Sequence, residues 1–426
     1  MRNPAPQAVA GMLVLGLSTL ASPGATAQPA ATAQKVTGPQ ARYWVSAETG
    51  TGMSAAAMQG GGLGSIMGAM FGGGGPRKTL RLELGGQRDG NPSEAVHTVP
   101  GGLGMGPSLT LLGPERAVAT PERPERDVPE MQRGERPKGR MLFFWGCGET
   151  AGPGQPVIFD IEKMADGVLP PNMRSIAVNG YRGGPGAGRD RGYADWPNRR
   201  HSEAVPGGAS LVGDHLVQGN FVPDIRFAVG APHDFMEPLT LKRAANASGS
   251  QLLGWNRPAS ALGYFVTGMG FKEGPGGAND MVMWNSSTAR LLGGEQLNTF
   301  LPPAETERLV KAGVVLPPAR TECTVPREVL AAAGGDLMML NLNAFGPELN
   351  VVHPPRPQDA RVTWEQQYHV RLRLRSYTGS VGGMDGAAAA QRPERADEAP
   401  ARDAKDEKAP KPADAVKDLL KGIFGR

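Results

Sequence analysis

Only two cysteines and six histidines occur among the 426 residues of this chain, and that shortage removes several chemistries at once. No C-x-x-C, H-x-H or H-E-x-x-H spacing is present, so no zinc site of the usual kind is expected and no metal ligands are assigned. His97, His201, His215, His233, His353 and His369 each read as loop or strand-surface residues. A G-x-S-x-G elbow is also missing: Gly208-Ala209-Ser210-Leu211-Val212 lacks the closing glycine and heads into a strand. Asp214 and His215 adjoin it, but neighbours on a strand project to opposite faces and make a poor dyad. No acidic pair stands out from the surface background, so no catalytic residue is named. Beyond the N-terminus no apolar run approaches 18 residues, which argues against a membrane-spanning helix. Charge of one sign is lacking too. With 45 Lys plus Arg against 41 Asp plus Glu there is no basic stripe, and nucleic acid is not an expected partner.

The segment Phe71-Gly-Gly-Gly-Gly-Pro-Arg-Lys-Thr79 tests the same point for nucleotides. A phosphate loop leads from a strand into a helix, whose N-terminus faces the anion. Here Thr79-Leu80-Arg81-Leu82-Glu83-Leu84 alternates polar and apolar, the period of a half-buried strand. No nucleotide and no cofactor is expected.

What is present first is an export signal. Arg2 supplies a basic end, Ala8 to Ala21 an apolar stretch, and Ala25-Thr26-Ala27 a small-x-small cleavage site, so residues 1–27 read as a signal peptide cut after Ala27. The expected location is periplasmic or secreted. In such a compartment Cys147 and Cys323 have the conditions to form a disulfide that closes a very long loop. In the chain-entropy model such a bridge stabilises by about 5 kcal/mol. The alternative is a buried thiol, because Cys147 ends the apolar run Met141 to Trp145.

The remaining organisation follows from composition. The 61 glycines and 39 prolines approach the level of low-complexity sequence, but they are concentrated, which implies loops and tails around folded parts. After a flexible leader (28–40), a first β-rich body spans 41–164. Its strand signals lie at 42–47, 78–84, 95–99, 108–112, 141–147 and 156–161. It carries a Gly/Met insertion at 50–76 and a charged, proline-rich insertion at 113–139, both expected to be disordered. Met53, Met58, Met67 and Met70 of the first insertion raise a minor Cu(I) reading.

A Gly/Arg-rich connection (165–208) leads to a second body, 209–378, with strand signals at 210–217, 224–229, 238–242, 251–255, 263–268, 280–284, 337–342 and 368–377. Two short helices are expected there, 302–312 and 326–333, each with proline at its start and glycine past its end. The stretch LLGWNRPASALGYFVTG, with Trp255 and Tyr264, resembles the early strands of fibronectin-type and immunoglobulin-like sandwiches, and the resemblance implies a sandwich. The expected fold class is thus all-β and mainly antiparallel: two sandwich-like bodies with long loops.

Residues 379–412 form a charge-balanced linker. In 413–426, Val416, Leu419, Leu420, Ile423 and Phe424 share one face of an amphipathic helix. So short a helix is marginal alone and needs a surface: its own body, an envelope protein or a membrane. One more binding signal lies in the connection. Tyr193, Asp195, Trp196, Arg199, Arg200 and His201 place aromatic rings among both charges, a composition suited to a glycan. The competing reading buries Trp196 as a plug. These features together lead to an expected non-catalytic cell-envelope binding or scaffold protein. The alternative is an extracytoplasmic hydrolase of a glycan, ester or peptide.

Overall fold

A computed structural model describes residues 34–52, 75–114, 139–165, 175–273, 279–335 and 338–382. The expected signal peptide, Met53, Met58, Met67 and Met70, nearly all of the second insertion, and the linker beyond 382 with the helix expected after it lie outside the described residues.

In chain order the strands are β1 (Val36–Thr37), β2 (Ala41–Thr51), β3 (Arg77–Gly86), β4 (Glu94–Thr98), β5 (Ser108–Leu112), β6 (Arg140–Trp145), β7 (Val157–Asp160), β8 (Gly192–Trp196) and β9 (Gly213–Gly219). They continue with β10 (Ile225–Val229), β11 (Leu241–Ala245), β12 (Gln251–Trp255), β13 (Gly263–Glu273), β14 (Asn279–Asn285), β15 (Glu322–Val325), β16 (Met339–His353), β17 (Trp364–Glu365) and β18 (Tyr368–Val381). Three short helices accompany them among the described residues: α1 (Ile161–Ala165), α2 (Pro303–Lys311) and α3 (Arg327–Ala332). The protein is all-β, as its alternating stretches require.

Thirteen strands form one sheet in the order β10-β9-β4-β5-β8-β3-β2-β18-β16-β13-β14-β6-β7. Within it the β18–β2 and β14–β6 pairs are parallel and the others antiparallel. Strands from both expected bodies enter it, with β2 between β3 and β18, and β6 between β14 and β7. Hydrogen bonding therefore does not stop at the boundary read from composition.

Twist accumulated over so many strands turns the sheet back on itself. Five strands separate β10 from β2 in the order, yet Tyr43 of β2 and Phe227 of β10 have ring centroids 6.1 Å apart. The Tyr368 hydroxyl of β18 donates to the Arg226 carbonyl of β10 at 3.0 Å. At the other end, the three-stranded sheet β11-β12-β15 covers β13 and β16, where Trp255 and Tyr264 meet edge to face at 5.6 Å. The Cys147–Cys323 disulfide, Cα–Cα 5.1 Å, joins the end of β6 to β15 across 176 residues of chain. On the opposite face of β13 and β16, α2 and its flanking loops bury Phe265, Leu297, Leu309 and Phe345 together.

Local rules explain the helices. Pro302 and Pro326 precede α2 and α3, and the turns beyond them need positive φ at Gly313 (71°) and Gly334 (80°). Three expectations are corrected. The leader is not free throughout: β1 pairs with β17, and the Gln34 amide donates to the Val362 carbonyl at 2.9 Å. The connection 165–208 contains β8, an interior strand between β5 and β3, which a five-residue Gly-Tyr-Ala-Asp-Trp segment beside a proline does not advertise. His97 and His215 are core residues, 1% and 4% exposed, because their polar atoms find partners inside.

Candidate ligand face on the central sheet

From Tyr368 to Arg375 β18 alternates apolar and polar residues. Val370, Leu372 and Leu374 enter the core, so Arg371, Arg373 and Arg375 must occupy the other face. Register brings neighbours to the same side. Trp44, Ser46 and Glu48 of β2 lie opposite the three arginines in turn, and Glu83 and Arg81 of β3 lie opposite Trp44 and Ser46. Asp195 of β8 lies opposite Glu83, and Glu348 of β16 opposite Arg373.

The inner part of this face is covered and paired. Arg375, 3% exposed at its side chain, donates to Glu48 Oε1 at 2.9 Å and lies against the rings of Phe300 and Tyr377. Arg373 donates to the Ser46 hydroxyl at 2.8 Å, reaches Glu83 Oε2 at 3.5 Å, and stacks on Trp44, Tyr181 and Phe300. Burial lowers its pKa, which the nearby Glu83 counters. Arg371 pairs with Glu348 at 3.4 Å and lies over Trp44 and Tyr181. Guanidinium groups are suited to such sites, since a weakly hydrated plane stacks on rings while its edge forks to carboxylates. The loop carrying Tyr181 is held down by Arg42, which donates to the Gly183 carbonyl and pairs with Asp190. A Cβ on Gly85 would come 2.4 Å from the Asp190 carboxylate, so a side chain there would have to push that acid away from Arg42.

The outer end is open. Arg81, its side chain 59% exposed, pairs with Glu83 Oε1 at 3.2 Å. Beside them the Tyr193 hydroxyl donates to Asp195 Oδ2 at 3.2 Å. Like charges directly opposite on a sheet destabilise it. Two arginines neutralise Glu83, whereas no cation among the described residues forms an ion pair with Asp195. Burial raises the pKa of Asp195 above its ordinary value of 3.8. Burial, then the charges of Asp195 and Glu83, push the Tyr193 phenol up to about 12. The quartet Arg81, Glu83, Tyr193 and Asp195 therefore offers donors and acceptors in a partly desolvated setting, with open acceptor capacity on Asp195.

The residues singled out by sequence divide between faces. Tyr193 and Asp195 join this site, but Trp196 lies opposite Leu82 on the core side and is 2% exposed, so no single plate contains all three. Arg199, Arg200 and His201 belong to the turn after β8. There Arg199 donates to the Gly113 carbonyl, and the backbone N–H groups of Arg200 and His201 donate to Asn198. The sequence reading missed Arg81, Glu83 and the β18 arginines as site residues. The alternation of β3 and of β18 was their one visible signal.

No hydrolase triad forms around Ser210. Its hydroxyl bonds to Asp234 at 2.6 Å, while His215 donates to the Leu211 carbonyl and faces the core. Among the described residues no cluster of three His, Cys, Asp or Glu side chains is arranged to hold a metal ion. No helix among them is long and apolar enough to cross a membrane. Lys78 of the glycine-loop segment lies in β3, donates to the Ala209 carbonyl at 2.6 Å and sits over Phe235, as a strand residue would. No protein-family model and no curated protein matches the chain.

Proposed function

We propose that this is an exported, periplasmic or secreted, non-catalytic binding protein of the cell envelope, whose ligand surface is the open end of the charged face. In this reading the fold is two sandwich-like bodies that share one sheet, with residues 1–27 removed on export. The disulfide supports export, since such bridges persist outside the cytoplasm. The observation that carries the binding reading is Asp195: a half-buried carboxylate opposite a second acid, flanked by Tyr193 and the exposed Arg81. Side chains so arranged on a rigid sheet suit a hydroxyl-rich ligand such as an envelope glycan, which needs both donors and acceptors. The terminal segment 413–426 would then tether the protein to an envelope partner or membrane surface.

The test is binding to a panel of envelope glycans, peptidoglycan fragments included, with affinities measured by calorimetry. Asp195→Asn and Arg81→Ala are expected to weaken binding at least tenfold and leave the melting temperature nearly unchanged. Absence of binding by the unaltered protein, or equal binding by both variants, overturns the reading. A second reading, glycoside hydrolysis, is favoured by one observation: Glu83 and Asp195 are cross-strand carboxylates, and burial raises the pKa of Asp195, the direction that favours a general acid. Turnover of a glycan that is lost in Asp195→Asn would establish it in place of the first.

A further inference from the structure

On the inner side of the same sheet a chain of hydrogen bonds crosses the curled end. The Tyr43 hydroxyl lies 2.8 Å from His97 Nδ1, His97 Nε2 lies 2.9 Å from His215 Nδ1, and His215 Nε2 lies 2.8 Å from the Leu211 carbonyl. Tyr43 comes from β2, His97 from β4, His215 from β9, and Leu211 from the segment preceding β9. The three side chains belong to residues 0%, 1% and 4% exposed. Phe227 of β10 stacks on His215 at 4.7 Å, with planes 8° apart.

The far end sets the polarity of this chain. A carbonyl oxygen only accepts, so His215 carries its proton on Nε2 and, when neutral, presents a bare Nδ1. His97 must then donate from Nε2, which leaves its own Nδ1 to accept from Tyr43. Every polar atom is satisfied in this one arrangement, with both imidazoles neutral.

An added proton has no good place. On His97 Nδ1 it meets the Tyr43 hydroxyl, which must turn its hydrogen away from its acceptor. On His215 Nδ1 it forces His97 to shift tautomer, with the same result for Tyr43. Either way a buried O–H loses its partner and a charge appears in the core, each costly to the closed state. Compensation is scarce on every side. β10 contributes the uncharged Phe227, and across β4 His97 faces Val217 and Leu109. Asp214 favours the charged form of His215 but lies exposed on the other face of β9.

We propose that the Tyr43–His97–His215 chain is an acid-sensitive latch, which holds the curled end of the sheet closed at neutral pH and releases it when a proton enters. Burial keeps both imidazoles below their ordinary value of 6.5, and for His97 the neighbouring His215 adds to the effect. With folded values depressed, the open chain binds more protons. Stability is therefore complete above about pH 6.5 and falls as the pH drops below it. The equilibrium for opening should rise by up to about tenfold per pH unit for each imidazole involved. This inference does not depend on the ligand reading, because it concerns the opposite face of β2.

Two measurements test it on the full chain. Imidazole ¹⁵N NMR at pH 7.5 should show both rings neutral and protonated on Nε2. Hydrogen exchange at pH 7.5 and 5.0, corrected for intrinsic rates, should show lost protection at low pH in β4, β9 and β10 and retained protection in β13 and β16. His97→Gln, whose amide can accept from Tyr43 and donate to His215, should flatten the pH dependence. Should that variant not fold, the unaltered protein still decides the matter. Ordinary titration of either ring near pH 6.5 with protection intact, or an Nδ1-protonated tautomer, overturns the latch.

Discussion

The two ends of the large sheet are closed by different means. At the curled end, β10, β9 and β4 return over β2 and β18, and what joins the layers is apolar packing plus neutral hydrogen bonds through Tyr43, His97, His215 and Tyr368. At the other end, a separate three-stranded sheet is strapped down by the Cys147–Cys323 bond and by Trp255 against Tyr264. One closure depends on protonation state and the other on redox state. A single continuous sheet can thus carry two regions whose stabilities respond to different conditions, while the charged face lies over the strands they share.

The largest expected effect comes from the covalent strap. Cys147→Ser, which opens a loop of 176 residues, should cost about 5 kcal/mol in the chain-entropy model, read from chemical denaturation under oxidising conditions. Exchange protection should fall first in β12 and β15; loss confined to β4 and β9 would break the comparison. Next is Trp196→Ala in the core of the curled end, expected to cost about 3–5 kcal/mol with glycan affinity unchanged where the variant remains folded. Unaltered stability together with lost binding would return Trp196 to the ligand site. Smallest is Tyr43→Phe, which leaves His97 Nδ1 without a donor and should cost about 1–3 kcal/mol at pH 7.5. The difference from the unaltered protein should narrow at pH 5, where the latch is already weakened. A constant difference across that range would argue that the tyrosine contributes packing alone.

How much was legible beforehand varies with the range of the interaction. Thr79 to Leu84 and Tyr368 to Tyr377 declared themselves as strands, because period-two alternation is written in consecutive residues. The α2 and α3 boundaries were visible in Pro302, Gly313, Pro326 and Gly334, each acting within one turn of its own position. A lone pair of cysteines could bond only to each other within the chain. By contrast β8 was read as connection, since two of its three inward residues, Gly192 and Ala194, are too small to mark an apolar face. Of the candidate ligand face, Tyr193 and Asp195 were found by composition, but their partners Arg81 and Glu83 were not, because strand pairing between distant segments leaves no local mark.

Local chemistry in the sequence determined the class of the fold and the two helix ends, each governed by adjacent residues, and it named the one cysteine pair that could bridge. Only the tertiary structure decided the order of thirteen strands, the return of β10 over β2, the burial of two histidines 118 residues apart and the side of the sheet each charge occupies. The reason is that a side chain's partners are chosen by register between strands, and a shift of one residue in register would exchange the arginine face for the core.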